Sequence, residues 1–293
     1  ANALAAIGST GSVTYLFFSV CNGISSGSSV VTSQYFGAGD DANTKRAIAN
    51  AAYIMFTTAL VMGIAAYLAA PGLLALMATP IEIRADATLY MRMSCIGVPL
   101  VAVYNYASSM LRALGDSKTP LYFLIFSCIL NIVLDIFCVY NLGLGIFGAA
   151  LATIIAQVVS GVGCLLYALR TNPYFKLTKE DMRPDKQVIG KSVKLGLPMA
   201  LQWSLIAIST TALQAFVNTF GTAVMAAFTT TNRIEGLVHM PYGSISAALS
   251  TYAGQNYGAG SIVRVRSSIR QSVLITSVMT VVVRLFLYFP GTR

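Results

Sequence analysis

Apolar positions run in long blocks along this chain, and polar positions fall in short breaks between them. No charge occurs from Ala47 to Ile81, from Met93 to Leu111, or from Leu195 to Asn232. Between Thr119 and Leu169 the only charged side chain is Asp135. Blocks of about 18 or more apolar residues are long enough to cross a bilayer as helices. Eight spans are predicted: Ser9–Ser33, Ala47–Ala70, Thr88–Leu111, Pro120–Tyr140, Ile146–Leu169, Ser192–Thr219, Ala223–Ala253 and Ile269–Phe289. The connectors carry turn formers, among them "GAGDD", "LGDSKTP", "NLGLG" and "GAGS". The predicted fold is all-α, a polytopic transmembrane helix bundle.

Composition agrees. Of 293 residues, 56% are hydrophobic and 10% charged, and mean hydropathy is +0.71. A soluble domain carries about 25% charged residues, so this chain lacks the polar residues to cover a water-facing surface. Cys21, Cys95, Cys128, Cys138 and Cys164 all lie in apolar runs without CxxC spacing. They read as small buried apolar residues rather than disulfides or metal ligands.

The net charge of +9 raises the question of nucleic acid, and the placement of the charges answers it. With connectors alternating across the membrane, fourteen Lys and Arg fall on one side, including Lys45, Arg46, Arg112, Lys118 and Arg170. Three fall on the other: Arg84, Arg92 and Arg293. This is a positive-inside pattern. It predicts a multi-pass protein of a bacterial inner membrane with loop 171–190 in the cytoplasm. Contact with anionic lipid accounts for the basic residues, and no nucleic-acid partner is expected.

An internal repeat is visible. "ISSGSSVVTSQYFGAG" from Ile24 and "ISAALSTYAGQNYGAG" from Ile245 share seven of 16 positions at an offset of 221. Six spans separate the copies, so both face the same side, as parallel repeats do in one class of secondary transporter. Extending the offset leaves Ser192–Thr219 without a partner at the front, and the second repeat stops after its third span. The chain is therefore expected to be the second to ninth spans of a twelve-span protein with two six-helix lobes. Residues 1–170 would form a first lobe lacking one helix, 171–190 an inter-lobe loop, and 191–293 the first half of a second lobe.

Ionised groups near the bilayer centre are costly and mark function by default. Only Asp135 and Glu235 lie deep within predicted spans. Asn131 shares the helix face of Asp135. Counting from the turn near Gly143, Asp135 and Thr153 lie at similar depth on antiparallel neighbours. A carboxylate, an amide and a hydroxyl at one level suit a hard cation such as Na⁺, or a proton on the carboxyl. The alternative is a static lock on the hairpin. Glu235 belongs to "NRIEGLVH", where His239 at i+4 shares its face and Arg233 does not. With Pro241 following, the pattern reads as a Pro-broken helix lining a cavity. Glu235, Arg233 and His239 form a second polar site, serving either transport or a structural ion pair.

"GLGIFG" at Gly143–Gly148 matches a dinucleotide fingerprint, but no strand precedes it and no acid follows about 20 residues on. Its glycines are expected to make a tight hairpin. "QYFGAGD" and "QNYGAGS" lack the Lys-Ser/Thr of a phosphate loop and read as Gly-capped helix ends. No catalytic constellation is visible, and neither an enzyme nor a cofactor beyond a coupling ion is expected.

Together these features resemble the multidrug and toxic compound extrusion (MATE) family of secondary transporters. The resemblance rests on the paired "QxxGAG" turns, "LRALGDSKTP", the "NxxxD" of Asn131 and Asp135, and "GIFGAALAT" leading to Thr153. It implies two six-helix lobes that alternate between outward-facing and inward-facing forms. It also implies a monomer that exports organic cations or other lipophilic small molecules in exchange for Na⁺ or H⁺. In many prokaryotic members the first-lobe cation site uses an Asn, an Asp and a Thr, which Asn131, Asp135 and Thr153 match. Those members add an Asp from a first helix that this chain does not include. One subgroup has a Glu where "PMALQWSLIAIS" carries Gln202, so a second-lobe acid would have to come from Glu235. Gln202 and Tyr242 are candidate substrate-cavity residues. A related-fold flippase for lipid-linked sugars is the alternative. It would be expected to cluster cavity-facing Arg or Lys, and only Arg233 and Arg284 are available.

Overall fold

The computed structural model describes residues 2–76, 81–218, 220 and 222–288. Eight long α-helices follow in order: α1 Asn2–Gly37, α2 Asp41–Leu76, α3 Ile81–Ala113, α4 Lys118–Asp135, α5 Gly145–Thr171, α6 Lys186–Asn218, α7 Thr222–Gly258 and α8 Ile262–Tyr288. A π-helical turn, Ile136–Asn141, extends α4, and a 3₁₀ turn, Pro173–Phe175, follows α5. Among the described residues there is no strand. Each predicted span falls on one helix, with Thr219 and Phe289 outside the described residues. The helices exceed the spans because polar turns at their ends, such as Asp41–Arg46, continue the hydrogen-bond ladder.

Three of these helices contain a stretch long and apolar enough to cross a membrane, within Asp41–Leu74, Lys118–Asn141 and Phe147–Thr171. A fourth qualifies if the bent pair Ala87–Met93 and Gly97–Ala113 counts as one span. These counts cover the described residues. Pro241 does not break α7, which runs through it. In α3 the pair is bent by 43°. Pro99 has no N–H for the Cys95 carbonyl and its ring crowds that oxygen, which bends the helix in the preceding turn without ending it. A Cβ on Gly63 of α2 would sit 3.0 Å from that freed carbonyl oxygen, so the glycine lets the two backbones approach.

The chain divides into two compact units, Ala1–Thr32 with Asp41–Ile208, and Ser33–Asp40 with Ser209–Arg293. In the first, α2 and α3 pack through small side chains: Ala66, Ala70, Leu74, Ala87, Met91 and Cys95 form one buried cluster. Small residues let helices approach closely where lipid offers no hydrophobic drive for association. The same logic joins α1 to α6. Gly23 and Gly27 form a GxxxG pair facing Gly196 and Ala200. A Cβ on Gly23 would lie 2.3 Å from the Ala200 Cα, and one on Gly27 2.4 Å from the Gly196 nitrogen. Ser19 and Ser204 share a 2.9 Å hydrogen bond along this crossing.

The loop after α5 is fastened to the first unit. Phe175 is 2% exposed and meets the Tyr106 ring edge-on at 6.4 Å. The Tyr174 hydroxyl donates to Asp41 at 2.7 Å, and the Tyr53 hydroxyl to the Met182 carbonyl at 2.9 Å. Asn50 is fully buried on α2. Its amide nitrogen donates to the Arg46 and Arg183 carbonyls, and its oxygen accepts from the Asp185 N–H at 2.9 Å. Asp185 then caps α6 by accepting from the Gln187 and Val188 N–H groups.

In the second unit, the ends of α1 and α7 close with matching turns. Gly39 (φ +70°) and Gly260 (φ +71°) take the left-handed conformation that glycine adopts without strain. The backbone bonds also correspond: Asp40 N–H to the Tyr35 carbonyl, and Ser261 N–H to the Asn256 carbonyl. The capping role expected of the paired "GAG" turns is therefore borne out at these positions. Gly37 and Gly258 have a different role. A Cβ on Gly37 would lie 1.8 Å from the Gln255 carbonyl oxygen, and one on Gly258 1.9 Å from that of Gln34.

Candidate functional site

Asp135 ends α4, and the next residue begins the π-helical turn. A π turn widens the backbone ring and displaces the side chains at its start from their α register, a feature common at functional sites. The hairpin behind it is tight. Gly143 (φ +65°) and Gly145 (φ +53°) make the turn, and a Cβ on Gly148 would sit 3.0 Å from the Cys138 carbonyl oxygen. This returns α5 alongside α4 and puts Thr153 beside Asn131.

The Asn131 amide nitrogen lies 3.4 Å from the Thr153 hydroxyl oxygen, so Thr153 meets α4 one turn before Asp135, the residue whose depth the count matched to it. The Thr153 hydroxyl spends its only proton on the Ala149 carbonyl at 3.0 Å. It has no proton left to offer a carboxylate. Asp135 is half-buried, and its Oδ1 is buried with no hydrogen-bond partner among the described residues. A buried carboxylate oxygen without a donor is costly. A bound cation or a proton on the carboxyl would satisfy it. The Asn131 amide oxygen and the lone pairs of Thr153 supply further oxygen ligands of the kind a hard cation takes. The donor set therefore fits such an ion. Among the described residues, no group of three or more His, Cys, Asp or Glu could hold a metal ion.

The second polar group is partly assembled. Glu235 and His239 lie 3.4 Å apart on α7, and both side chains are exposed. The His239 ring meets Tyr242 at 6.2 Å, and the Tyr242 hydroxyl is 2.9 Å from that of Thr280 on α8. The side chain of Arg233 lies outside the described ones. Gln202 is exposed on α6, in the first unit, whereas Tyr242 belongs to the second. Sequence reading missed the π turn, for which apolar periodicity carries no signal. It also missed the Gly23/Gly27 crossing, which the GxxxG spacing could have shown.

The chain is 29% identical to the probable multidrug resistance protein YoeA of Bacillus subtilis (strain 168), over 98% of its own length and 64% of that protein's. It is 32% identical to YpnP of the same organism, also named a probable multidrug resistance protein, over 89% of its length and 58% of that protein's. It thus spans about six-tenths of these relatives. A solved MATE structure in complex with MaD5 shares the fold, with a TM-score of 0.89 at 24% identity over 97% of this chain and 65% of that one. The MatE family profile matches residues 1–137 and 198–292. Most of the chain lies within those two segments, and the chain belongs to the MatE family.

Proposed function

We propose that the full-length protein is a cation-coupled antiporter. It exports lipophilic or cationic small molecules by alternating access, with Na⁺ or a proton bound at Asp135, Asn131 and Thr153. The observation that carries this reading is the buried Asp135 oxygen without a hydrogen-bond partner, beside the Asn131–Thr153 pair. The multidrug names of YoeA and YpnP support the substrate class. The family match gives no support to the flippase alternative.

Asp135 exchanges its charge state or its ligand with the transport state. Binding Na⁺ or H⁺ there neutralises the carboxylate and favours a repacked first lobe with lower affinity for the exported molecule. Two ligands that bias one conformational equilibrium in opposite directions are reciprocally coupled. The membrane potential adds about 2.3 kcal/mol per charge per 100 mV.

The test uses the full-length protein in proteoliposomes. Efflux of a cationic dye is followed under an imposed Na⁺ or proton gradient, for wild type and Asp135→Asn. Loss of gradient-driven transport with dye binding retained supports the coupling role, and the gradient that works names the ion. Normal transport by the variant removes Asp135 from the mechanism.

A further inference from the structure

A π turn holds one residue more than an α turn, because its N–H groups bond five residues back instead of four. The Leu142 N–H donates to the Phe137 carbonyl in this way, at 3.0 Å. The arm that runs from α4 into the hairpin therefore carries a surplus residue directly after Asp135. Gly148 on α5 makes room for the wide turn, since an added Cβ would lie 3.0 Å from the Cys138 carbonyl oxygen.

This arm is held at its ends and loose in its middle. At the start of α4, Tyr104 donates to the Pro120 carbonyl at 2.9 Å, and Ser160 donates to the Phe123 carbonyl. Thr119, Pro120 and Ser127 are the buried residues of α4. At the far end, Gly143 and Gly145 close the hairpin in the left-handed conformation. From Cys128 to Phe137 no residue is fully buried. Among the described residues, the Asn131–Thr153 pair is the side-chain hydrogen bond that ties this stretch to α5.

A surplus residue can pass along a helix, because one turn tightens as the turn before it widens and the backbone bonds are exchanged. If it passes to the turn before Asn131, the residues between rotate by about 100° and shift by about 1.5 Å, one residue step of an α-helix. Ile136 then takes the station of Asp135, and Ile132 takes that of Asn131. Both isoleucines are exposed in the observed register and carry no polar side-chain atom to satisfy at the seam. The carboxylate leaves the place where its Oδ1 is buried without a hydrogen-bond partner among the described residues. Each register thus has a feature in its favour. The observed one keeps the Asn131–Thr153 bond and the oxygen ligands together. The other relieves the unpaired carboxylate oxygen.

We propose that the π turn is a register switch for the ion site. One register puts Asp135 and Asn131 at the seam with α5, and the other puts Ile136 and Ile132 there. An ion that binds the first register alone draws the arm into it. The switch rests on the reading of Asp135 as the ion site, and its test is read without transport.

The full-length protein, with its native cysteines replaced by Ala, carries one of three Cys pairs. Asn131→Cys with Thr153→Cys reports the observed register, and Ile132→Cys with Thr153→Cys reports the other. Val133→Cys with Thr153→Cys is the control that neither register brings together. Copper phenanthroline drives oxidation, and a disulfide needs Cα atoms within about 7 Å. The 131–153 and 132–153 pairs are both expected to link, and each should link faster than the control. Deletion of Val139 removes the surplus residue and leaves Asp135 at its station. It should preserve the 131–153 link and slow the 132–153 link by on the order of tenfold or more, since the second register is no longer populated. Absence of the 132–153 link where 131–153 forms overturns the proposal. Equal 132–153 rates with and without the deletion overturn it as well. If the deletion variant does not fold, the 132–153 rate against the control decides, and equality overturns the proposal. Normal efflux by Asp135→Asn overturns the ion-site reading instead, so the two failures are told apart.

Discussion

Gly37 lies against the backbone of Gln255, and Gly258 lies against the backbone of Gln34. The two glycines are equivalent positions of the repeat, 221 residues apart, and so are the two glutamines. The crossing is therefore built twice from one motif, with each copy supplying the glycine that admits the other's carbonyl. Added Cβ atoms at 1.8 and 1.9 Å would meet backbone, which cannot rotate away as a side chain can.

Gly37→Ala and Gly258→Ala should each destabilise the protein by about 1–3 kcal/mol, the usual cost of overpacking. The double variant should cost less than the sum, because the first substitution already separates the helices. Thermal unfolding of the full-length protein in detergent, arranged as a double-mutant cycle, measures this. Full additivity would mean that the two contacts are independent.

Asp135→Asn should raise stability in Na⁺-free, neutral buffer by about 1–2 kcal/mol, since it removes a charge whose buried oxygen has no partner. Wild type should gain stability as Na⁺ rises, by RT ln(1 + [Na⁺]/Kd), and the variant should not. Unfolding temperatures across a Na⁺ series, repeated with K⁺, give both slopes. A flat wild-type response to Na⁺ leaves the proton as the coupling ion.

Phe175→Ala should release the loop between α5 and α6. Truncating a buried Phe costs about 3–5 kcal/mol, equivalent to a hundredfold or more in the opening equilibrium. Lys176, Lys179 and Lys186 are trypsin sites in this stretch, whereas Arg183 precedes Pro184 and is not cut. Cleavage there should accelerate by about that factor, as long as opening is fast relative to cutting.

The Tyr174 hydroxyl gives the loop a pH dependence. Its donation to the Asp41 carboxylate, with a smaller contribution from burial, raises its pKa above the ordinary tyrosine value. The folded loop thus favours the protonated phenol. The stabilisation is complete below the unfolded value of about 10 and is lost as pH rises through the higher folded value. Tryptic cutting should speed up across that alkaline window in wild type. Tyr174→Phe should cut about two- to fivefold faster at neutral pH, a modest effect because the bond is exposed. Its cutting rate should show no further Tyr174 step at high pH.

Much of this was legible in the apolar blocks. The count from the turn at Gly143 set Asp135 level with Thr153, and the contact forms one helical turn further on, between Asn131 and Thr153. What stayed hidden depends on partners far away in sequence. "GAG" reads the same whether a glycine turns the chain, as Gly39 does, or admits a neighbour's carbonyl, as Gly37 does. Loop 171–190 looked like a linker because it is polar and holds two prolines. Asn50, one polar residue in an apolar run more than a hundred positions earlier, holds it down. Pro241 suggested a broken helix, but one missing N–H did not break α7.

The fastened loop bears on the order of assembly during synthesis. Its anchors on α2 and α3 leave the ribosome before the loop does. Once Phe175 and Asp185 dock, α6 starts from a fixed point beside α2, and the free chain between the anchors is only the few residues around Lys179. The first helix of the second repeat then searches a small volume for the small-residue face of α1. The loop thereby acts as a jig for topogenesis, removing chain entropy before the second repeat is complete.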